Sequence, residues 1–139
     1  MDPRKSAPLW LDGLEAQFTA KGDSAYDLFY TLRELERDKV IAFPALLYEM
    51  SNGDGCRVHE GLYLSMENDL DDPSQFEGLT LWFGDGPGSV VSMDIAVQLL
   101  KLAGAVYCEQ FPEDIERVQR NLGRIERRYL ADPMGNASA

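Results

Sequence analysis

Histidine and cysteine are scarce in this chain, which limits the chemistry that it can perform. The 139 residues include one histidine and two cysteines. Cys56 and Cys108 lie far apart and neither belongs to a CxxC motif, so their spacing fits neither a zinc site nor a disulfide framework. We therefore expect two reduced thiols packed as small apolar side chains, and no bound metal or other cofactor.

Long apolar runs are also missing. No stretch approaches the roughly 20 apolar residues that a membrane-spanning helix needs. The first 15 residues contain no apolar segment of signal-peptide length before charged residues reappear. We therefore expect a cytoplasmic protein with no membrane partner, folded as one domain over residues 1–139, with residues 1–7 and 131–139 disordered.

Three patterns resemble catalytic or ligand-binding motifs but are incomplete. His59 stands beside a glutamate, but no nucleophile with a defined approach accompanies it. The segment Gly84–Gly88 lacks the GK[ST] ending of a phosphate loop and contains an acid, so we expect a tight turn. Asp69 and Asp71 have the opening spacing of an EF-hand, but the required glycine and final glutamate do not follow.

A pair of adjacent carboxylates, Asp71 and Asp72, would be the remaining candidate for acid–base catalysis. Adjacent acids on an exposed loop lack the burial that shifts the pKa of one of them for such work. We therefore predict that the protein is not an enzyme.

Basic residues are nearly absent from the middle of the chain. The overall net charge is −11. Residues 41–100 carry ten acidic residues and only Arg57, for −9, whereas residues 1–40 carry −2 and residues 101–139 carry 0. Such a field repels nucleic acid and membrane phosphate and attracts a basic protein. We therefore expect a basic protein partner and no direct binding of nucleic acid.

Apolar residues recur at helical spacing near both ends of the chain. Two N-terminal helices are predicted, from Leu9 to Ala20 and from Asp23 or Ser24 onward, the second with Glu34 on its exposed face. Two C-terminal helices are predicted, from Met93 to Glu109 and from Pro112 onward. Their expected core faces are Ile95, Leu99, Leu102, Ala103 and Val106 in the first, and Ile115, Val118, Leu122, Ile125 and Tyr129 in the second.

Residues 40–57 leave two alternatives open. Pro44 favours the first turn of a short helix that ends at the Asn52-Gly53 pair. The cluster Ser51–Gly55 is equally typical of a hairpin turn, which would join Leu46–Met50 to Cys56–His59. We prefer the helix.

Period-2 alternation predicts two strands, one around Val58–Met66 and one over Leu79–Phe83. The core-facing residues are the even-numbered Leu62, Leu64 and Met66 in the first strand and the odd-numbered Leu79, Leu81 and Phe83 in the second. On the outward faces, Tyr63 and Trp82 are expected to be cross-strand neighbours. Trp82 has two interpretations, as the anchor of a partner interface or as a core residue covered by a helix. The predicted fold class is α+β, with N-terminal helices and a C-terminal helix pair packed on a small antiparallel sheet within residues 58–91.

The segment between the two strands, residues 67–77, concentrates acidic residues in a composition that favours a loop. An acidic loop beside an outward tryptophan suits a protein interface. The predicted partner-binding residues are Glu67, Asp69, Asp71, Asp72, Glu77, Trp82, Tyr63, Asp54, Glu60 and Asp85.

The segments FEGLTLWF, VVSMDIAVQLLKLAGAVY and FPEDIERVQRNLGRIERRY share features with a known family. They include a Phe-Glu-Gly start to a strand, a Ser-capped helix with Tyr near its end, and a Pro-Glu-Asp opening to a last helix. In these features Phe76–Tyr129 resembles the C-terminal half of bacterial contact-dependent growth inhibition immunity proteins that oppose ribonuclease toxins. The resemblance implies a cytoplasmic antidote that binds the C-terminal nuclease domain of a toxin, blocks its active site and catalyses nothing.

Two other functions are alternatives to this interpretation. One is an acidic nucleic-acid mimic or adaptor that occupies a basic DNA- or RNA-binding host protein. The other is a small hydrolase that uses Asp71, Asp72 or His59. A large secreted protein encoded just upstream would favour immunity, whereas a metabolic operon would favour an enzyme.

Overall fold

The apolar alternation in the middle of the chain forms four short strands rather than two. The structure is a computed structural model that describes residues 9–130, so the predicted disorder of both chain ends lies outside the described residues. The strands are β1 (Cys56–His59), β2 (Leu62–Ser65), β3 (Leu79–Phe83) and β4 (Ser89–Val91). The α-helices of the described residues are α1 (Glu15–Thr19), α2 (Asp23–Arg37), α3 (Phe43–Ser51), α4 (Met93–Gln110) and α5 (Ile115–Tyr129).

Short 3₁₀ turns complete this α+β architecture. They span Asp12–Leu14, Glu67–Asp69, Pro73–Gln75 and Pro112–Asp114. The strands form one sheet in the order β1-β2-β3-β4, and every neighbouring pair is antiparallel. The predicted fold class is therefore confirmed.

The single strand predicted around Val58–Met66 is wrong, because the chain reverses within it. A turn at Glu60 and Gly61 separates β1 from β2. Gly61 has a φ of 86°, a left-handed backbone conformation that glycine adopts at little cost. A single glycine inside an apolar alternation was the signal for this hairpin.

One face of the sheet is buried beneath the helices. Its inward side chains are at most 5 % exposed, and they are Val58, Leu62, Leu64, Leu79, Leu81 and Val91. Helix α2 packs against β4, β1 and β3, and Ser89 Oγ donates a hydrogen bond of 2.7 Å to Asp27 Oδ2 of that helix. Phe83 was expected in this core but is 37 % exposed, because it ends β3 at the rim and packs against Tyr30.

Glu34 of α2 is buried, contrary to its predicted place on the exposed face. Only 5 % of the residue is exposed, and its carboxylate pairs with Arg37 at 2.5 Å. A β-bulge between Arg57 and His59 turns His59 toward α2, where its Nε2 lies 3.7 Å from Glu34 Oε1. The ion pair offsets the cost of placing a carboxylate inside the protein.

The preferred helix for residues 40–57 is confirmed as α3, with Pro44 in its first turn. The last helix, α5, packs against both α3 and α4. Its buried residues include Val118, Leu122 and Ile125, as predicted, whereas Ile115 at its start is 38 % exposed.

The predicted core face of α4 is correct except at Leu102, and it omitted a glycine that mediates the helix contact. Leu102 is 41 % exposed, whereas Gly104 is buried. A Cβ at position 104 would lie 3.0 Å from Leu122 Cδ1 and 3.2 Å from Val118 Cγ1. The missing side chain therefore lets α5 approach α4 closely, which a pattern of large apolar residues does not reveal.

We predict that Leu122→Ala lowers the free energy of unfolding by about 2–5 kcal/mol, since it leaves a cavity between α4 and α5. Ile115→Ala is the matched control on the same helix, and its exposed side chain should cost less than about 1 kcal/mol. Denaturant titration measures both. Equal losses would contradict the packing described here.

A candidate protein-binding surface

The second face of the sheet is not covered by any helix in the described residues. Tyr63 is 44 % exposed and Val90 is 41 % exposed, whereas the inward Leu62, Leu64 and Val91 are buried. We call this surface the open face. Its side chains belong to Arg57, Tyr63, Ser65, Thr80, Trp82 and Val90.

Arg57, Tyr63 and Trp82 form a row across three strands of the open face. Arg57 is opposite Tyr63 in the β1–β2 pair, and Tyr63 is opposite Trp82 in the β2–β3 pair. The predicted cross-strand neighbourhood of Tyr63 and Trp82 is therefore confirmed. The guanidinium carbon of Arg57 lies 5.4 Å from the centroid of the Tyr63 ring, within the range of a cation–π contact.

Trp82 is half-buried on the open face, so the helix-covered alternative does not describe its position. Its indole N–H donates a hydrogen bond of 3.1 Å to Ser65 Oγ. A Cβ at Gly88 would lie 3.2 Å from the Trp82 ring and 2.5 Å from a methyl group of Thr80. The hydrogen bond and this close approach hold the indole in place on the sheet.

Two grooves flank Trp82. One has a volume of about 390 Å³ and lies between Trp82 and the loop that connects β2 to β3, with Asp71, Asp72 and Glu77 in its wall. The other has a volume of about 380 Å³ and lies toward Arg57 and Tyr63. We call the first one the acidic groove, because carboxylates line one side of it.

The carboxylates of the acidic groove are available for a partner. Asp71 and Glu77 are exposed, and neither forms an ion pair or side-chain hydrogen bond with another residue of the described range 9–130. Asp72 accepts hydrogen bonds from the Ser74 hydroxyl at 2.7 Å and the Ser74 N–H at 3.1 Å. These bonds lower the pKa of Asp72 and fix the direction of its carboxylate.

Three other predicted partner-binding acids instead make contacts within the chain. Asp69 Oδ2 accepts from the backbone N–H of Gly55 at 2.8 Å and of Met66 at 2.9 Å. Asp54 Oδ1 accepts from the amide of Asn68 at 2.9 Å. These bonds hold the start of the acidic loop against the end of α3.

Glu67, the third of these acids, ties the loop to the last helix. Its Oε2 accepts hydrogen bonds from Arg128 Nη2 at 2.7 Å and Nε at 2.9 Å, and its Oε1 accepts one from the Tyr129 hydroxyl. Near the other end of the loop, Phe76 packs on the Tyr129 ring with 5.6 Å between centroids. Both ends of the acidic loop are therefore fixed to the C-terminal turn of α5.

Glu60 and Asp85 do not line the acidic groove. They belong to the β1–β2 and β3–β4 turns, which touch where the Gly84 N–H donates to Gly61 O at 2.7 Å. The structure therefore groups Asp71, Asp72, Glu77, Trp82 and Tyr63 on one surface and places Glu60 and Asp85 away from it. A role for each of the ten acids and aromatics in partner binding stays a prediction.

Sequence reasoning missed Val90 and Gly88, which help to form the acidic groove. Val90 opposes Thr80 in the β3–β4 pair and contributes an exposed apolar side chain. The signal for both was weak, because β4 has only three residues and follows a glycine-rich turn.

No group of three metal-ligating side chains occurs within residues 9–130, and no helix of that range is long and apolar enough to cross a membrane. Cys56 and Cys108 are free thiols, as predicted. Burial, followed by the nearby charges of Glu49 and Asp69, raises the pKa of Cys56 and thus disfavours its thiolate.

Comparison of the chain with models of protein families, with curated proteins and with solved structures finds no match. Inference about function therefore depends on the geometry and charge of the open face and on the sequence itself.

We predict that Glu67→Gln lowers the free energy of unfolding by about 1–2 kcal/mol, because it removes the charge that Arg128 contacts on α5. Glu77→Gln is the matched control, and it should change stability by less than about 0.5 kcal/mol, because Glu77 is exposed. Denaturant titration at neutral pH compares them. An unchanged free energy of unfolding in Glu67→Gln would contradict the conclusion that Glu67 fixes the acidic loop to α5.

We also predict a loss of stability at alkaline pH. The pKa of Tyr129 is raised chiefly by burial and then by its hydrogen bond to Glu67. The pKa of Tyr107 is raised in the same way, by burial and then by its hydrogen bond to Asp114. The unfolded chain loses these protons from about pH 10 upward while the folded chain retains them, so stability is present below that pH and falls above it. Unfolding measured from pH 8 to 11 should show a smaller decline for Tyr129→Phe than for the parent. Equal declines in the free energy of unfolding for the parent and Tyr129→Phe would show that Tyr129 does not cause the alkaline loss of stability.

Proposed function

We propose that the protein is an immunity protein that binds and neutralises a basic nuclease domain of a contact-dependent growth inhibition system. The observation that carries the proposal is the open face, where the exposed Tyr63 and the half-buried Trp82 lie beside carboxylates that no cation of the described chain engages. Tryptophan and tyrosine supply large apolar contact area at a low entropic cost, and they are enriched among residues that dominate binding energy.

Charge supports a basic partner for this surface. The segment that forms the open face and its acidic loop belongs to the part of the chain with a net charge of −9. A domain that cleaves RNA needs a positive surface to hold phosphate, and carboxylates can occupy that surface in place of the substrate. Opposite charges also accelerate encounter, which suits an antidote that must act before the nuclease does.

The arrangement favours this specific role over a general nucleic-acid mimic. Glu67, Asp69 and Asp54 hold the loop in shape, so the charges left for binding are few and stand next to Trp82. A mimic would depend chiefly on many repeated charges, whereas the open face combines a small number of charges with an apolar anchor. The proposed role also places the protein in the cytoplasm, where an incoming nuclease would act.

The proposal is tested by co-expression with a candidate toxin nuclease domain, taken from the C-terminus of a large secreted protein where one is encoded immediately upstream. We predict that the parent protein restores bacterial growth and that Trp82→Ala weakens the complex by at least about 2 kcal/mol, while the free variant stays folded. Calorimetry measures affinity and circular dichroism checks folding. Absence of both growth protection and binding by the parent would contradict the immunity function. Intact binding by a folded variant would remove Trp82 from the interface.

The acidic groove predicts the salt dependence of association. Asp71→Asn with Glu77→Gln should reduce the association rate at low salt, and raising the salt concentration should narrow the gap to the parent. Asp85→Asn with Glu60→Gln is the matched control, because it removes the same charge outside the acidic groove. Stopped-flow kinetics at two salt concentrations compares the two variants. Equal reductions of the association rate by the two variants would show that the overall negative field of the protein, and not a contact in the acidic groove, controls association.

A further inference from the structure

We propose that the acidic groove receives an arginine side chain of the partner, whose guanidinium stacks on Trp82 and pairs with the carboxylates of the groove. This inference rests on the proposed function and names the group that the partner presents. It follows from a difference between the two grooves beside Trp82, since the groove near Arg57 and Tyr63 contains an arginine of the chain and the acidic groove does not.

On the β1 side of the row, the chain supplies its own guanidinium. Arg57 lies over the Tyr63 ring at 5.4 Å from the centroid, and both residues line the groove on that side of Trp82. On the other side of Trp82, the described residues that line the acidic groove include three carboxylates and no arginine or lysine. The acidic groove thus has the negative charge and the aromatic wall of a cation site, but no cation from the described chain.

The side walls of the groove match the two surfaces of an arginine side chain. Trp82, Val90 and Leu70 offer apolar contact for the aliphatic stem and a ring for the flat face of the guanidinium. Asp71, Asp72 and Glu77 offer acceptors for its N–H groups. The volume of about 390 Å³ leaves room for one long side chain together with water.

Arginine fits this groove better than lysine for two physical reasons. Its guanidinium is planar and weakly hydrated, so it stacks on an indole at a smaller desolvation cost than an ammonium group. It also presents five N–H donors in a fixed fork, which can reach carboxylates on one wall while its face stays on the other. A lysine ammonium can contact the ring through its charge, but it has no flat face to stack on the indole and no planar fork of donors.

The groove is also held in shape before any partner arrives. The Trp82 indole is fixed by Ser65, and the loop is tied to α5 through Glu67. Asp72 is oriented by Ser74. Trp82 and Asp72 therefore lose little side-chain entropy on binding, which favours recognition by a single inserted group.

The test uses the isolated protein with hexa-arginine and hexa-lysine peptides, followed by ¹⁵N NMR of the two tryptophan indole N–H groups. Trp10 is an internal control, because it packs against Phe43 and Tyr107 with ring centroids 5.1 and 5.2 Å apart. We expect hexa-arginine to shift the Trp82 resonance and leave that of Trp10 in place. Hexa-lysine should bind at least about threefold more weakly, because it cannot stack.

Two double variants that each remove two negative charges test whether hexa-arginine binds in the acidic groove. Asp71→Asn with Glu77→Gln should weaken hexa-arginine binding by about threefold or more, whereas Asp85→Asn with Glu60→Gln should have a smaller effect. The dispersion of backbone amide signals verifies that each variant is folded. Equal binding of the two peptides, equal weakening by the two variants, or an unmoved Trp82 resonance would overturn the arginine site. Those results would leave the proposed function to be decided separately by co-expression with the nuclease.

Discussion

The one-sided burial of a four-stranded sheet is the constraint on which the rest of the structure depends. Leu64, Leu79 and Leu81 are at most 1 % exposed, and burying a leucine contributes roughly 1.5–3 kcal/mol. Because strand side chains alternate, fixing these residues inward also fixes Tyr63 and Trp82 outward. A one-residue slip in register would exchange the two faces. The same apolar packing that stabilises the domain therefore creates the surface that we propose for binding.

The acidic loop depends on the helical layer for its shape, although its free charges point away from that layer. Glu67 and Phe76 attach the loop to the end of α5, which in turn packs against α3 and α4. A loop with this many carboxylates would repel itself if it were unattached. Because Glu67 attaches the loop to α5, Asp71 and Glu77 stay exposed at a defined position beside Trp82.

Local sequence patterns predicted the fold class, the α3 helix and the Tyr63–Trp82 pair, because each depends on residues close in sequence or on strand alternation. They did not predict the contacts of Glu67 with Arg128, which is 61 positions away. They also placed Leu102 in the core face of α4 and did not indicate Gly104, since a buried glycine carries no apolar signal. The candidate surface was therefore predictable in its aromatic pair and in its acidic character, but not in which acids remain free.

The most direct test of the account is amide hydrogen–deuterium exchange of the protein alone and bound to the nuclease domain that we propose as its partner. Binding should slow exchange in residues 70–82, which include part of the acidic loop and β3, and should leave the exposed side of α5 unchanged. Protection confined to the helices, with residues 70–82 exchanging as in the free protein, would contradict the assignment of the open face as the partner surface.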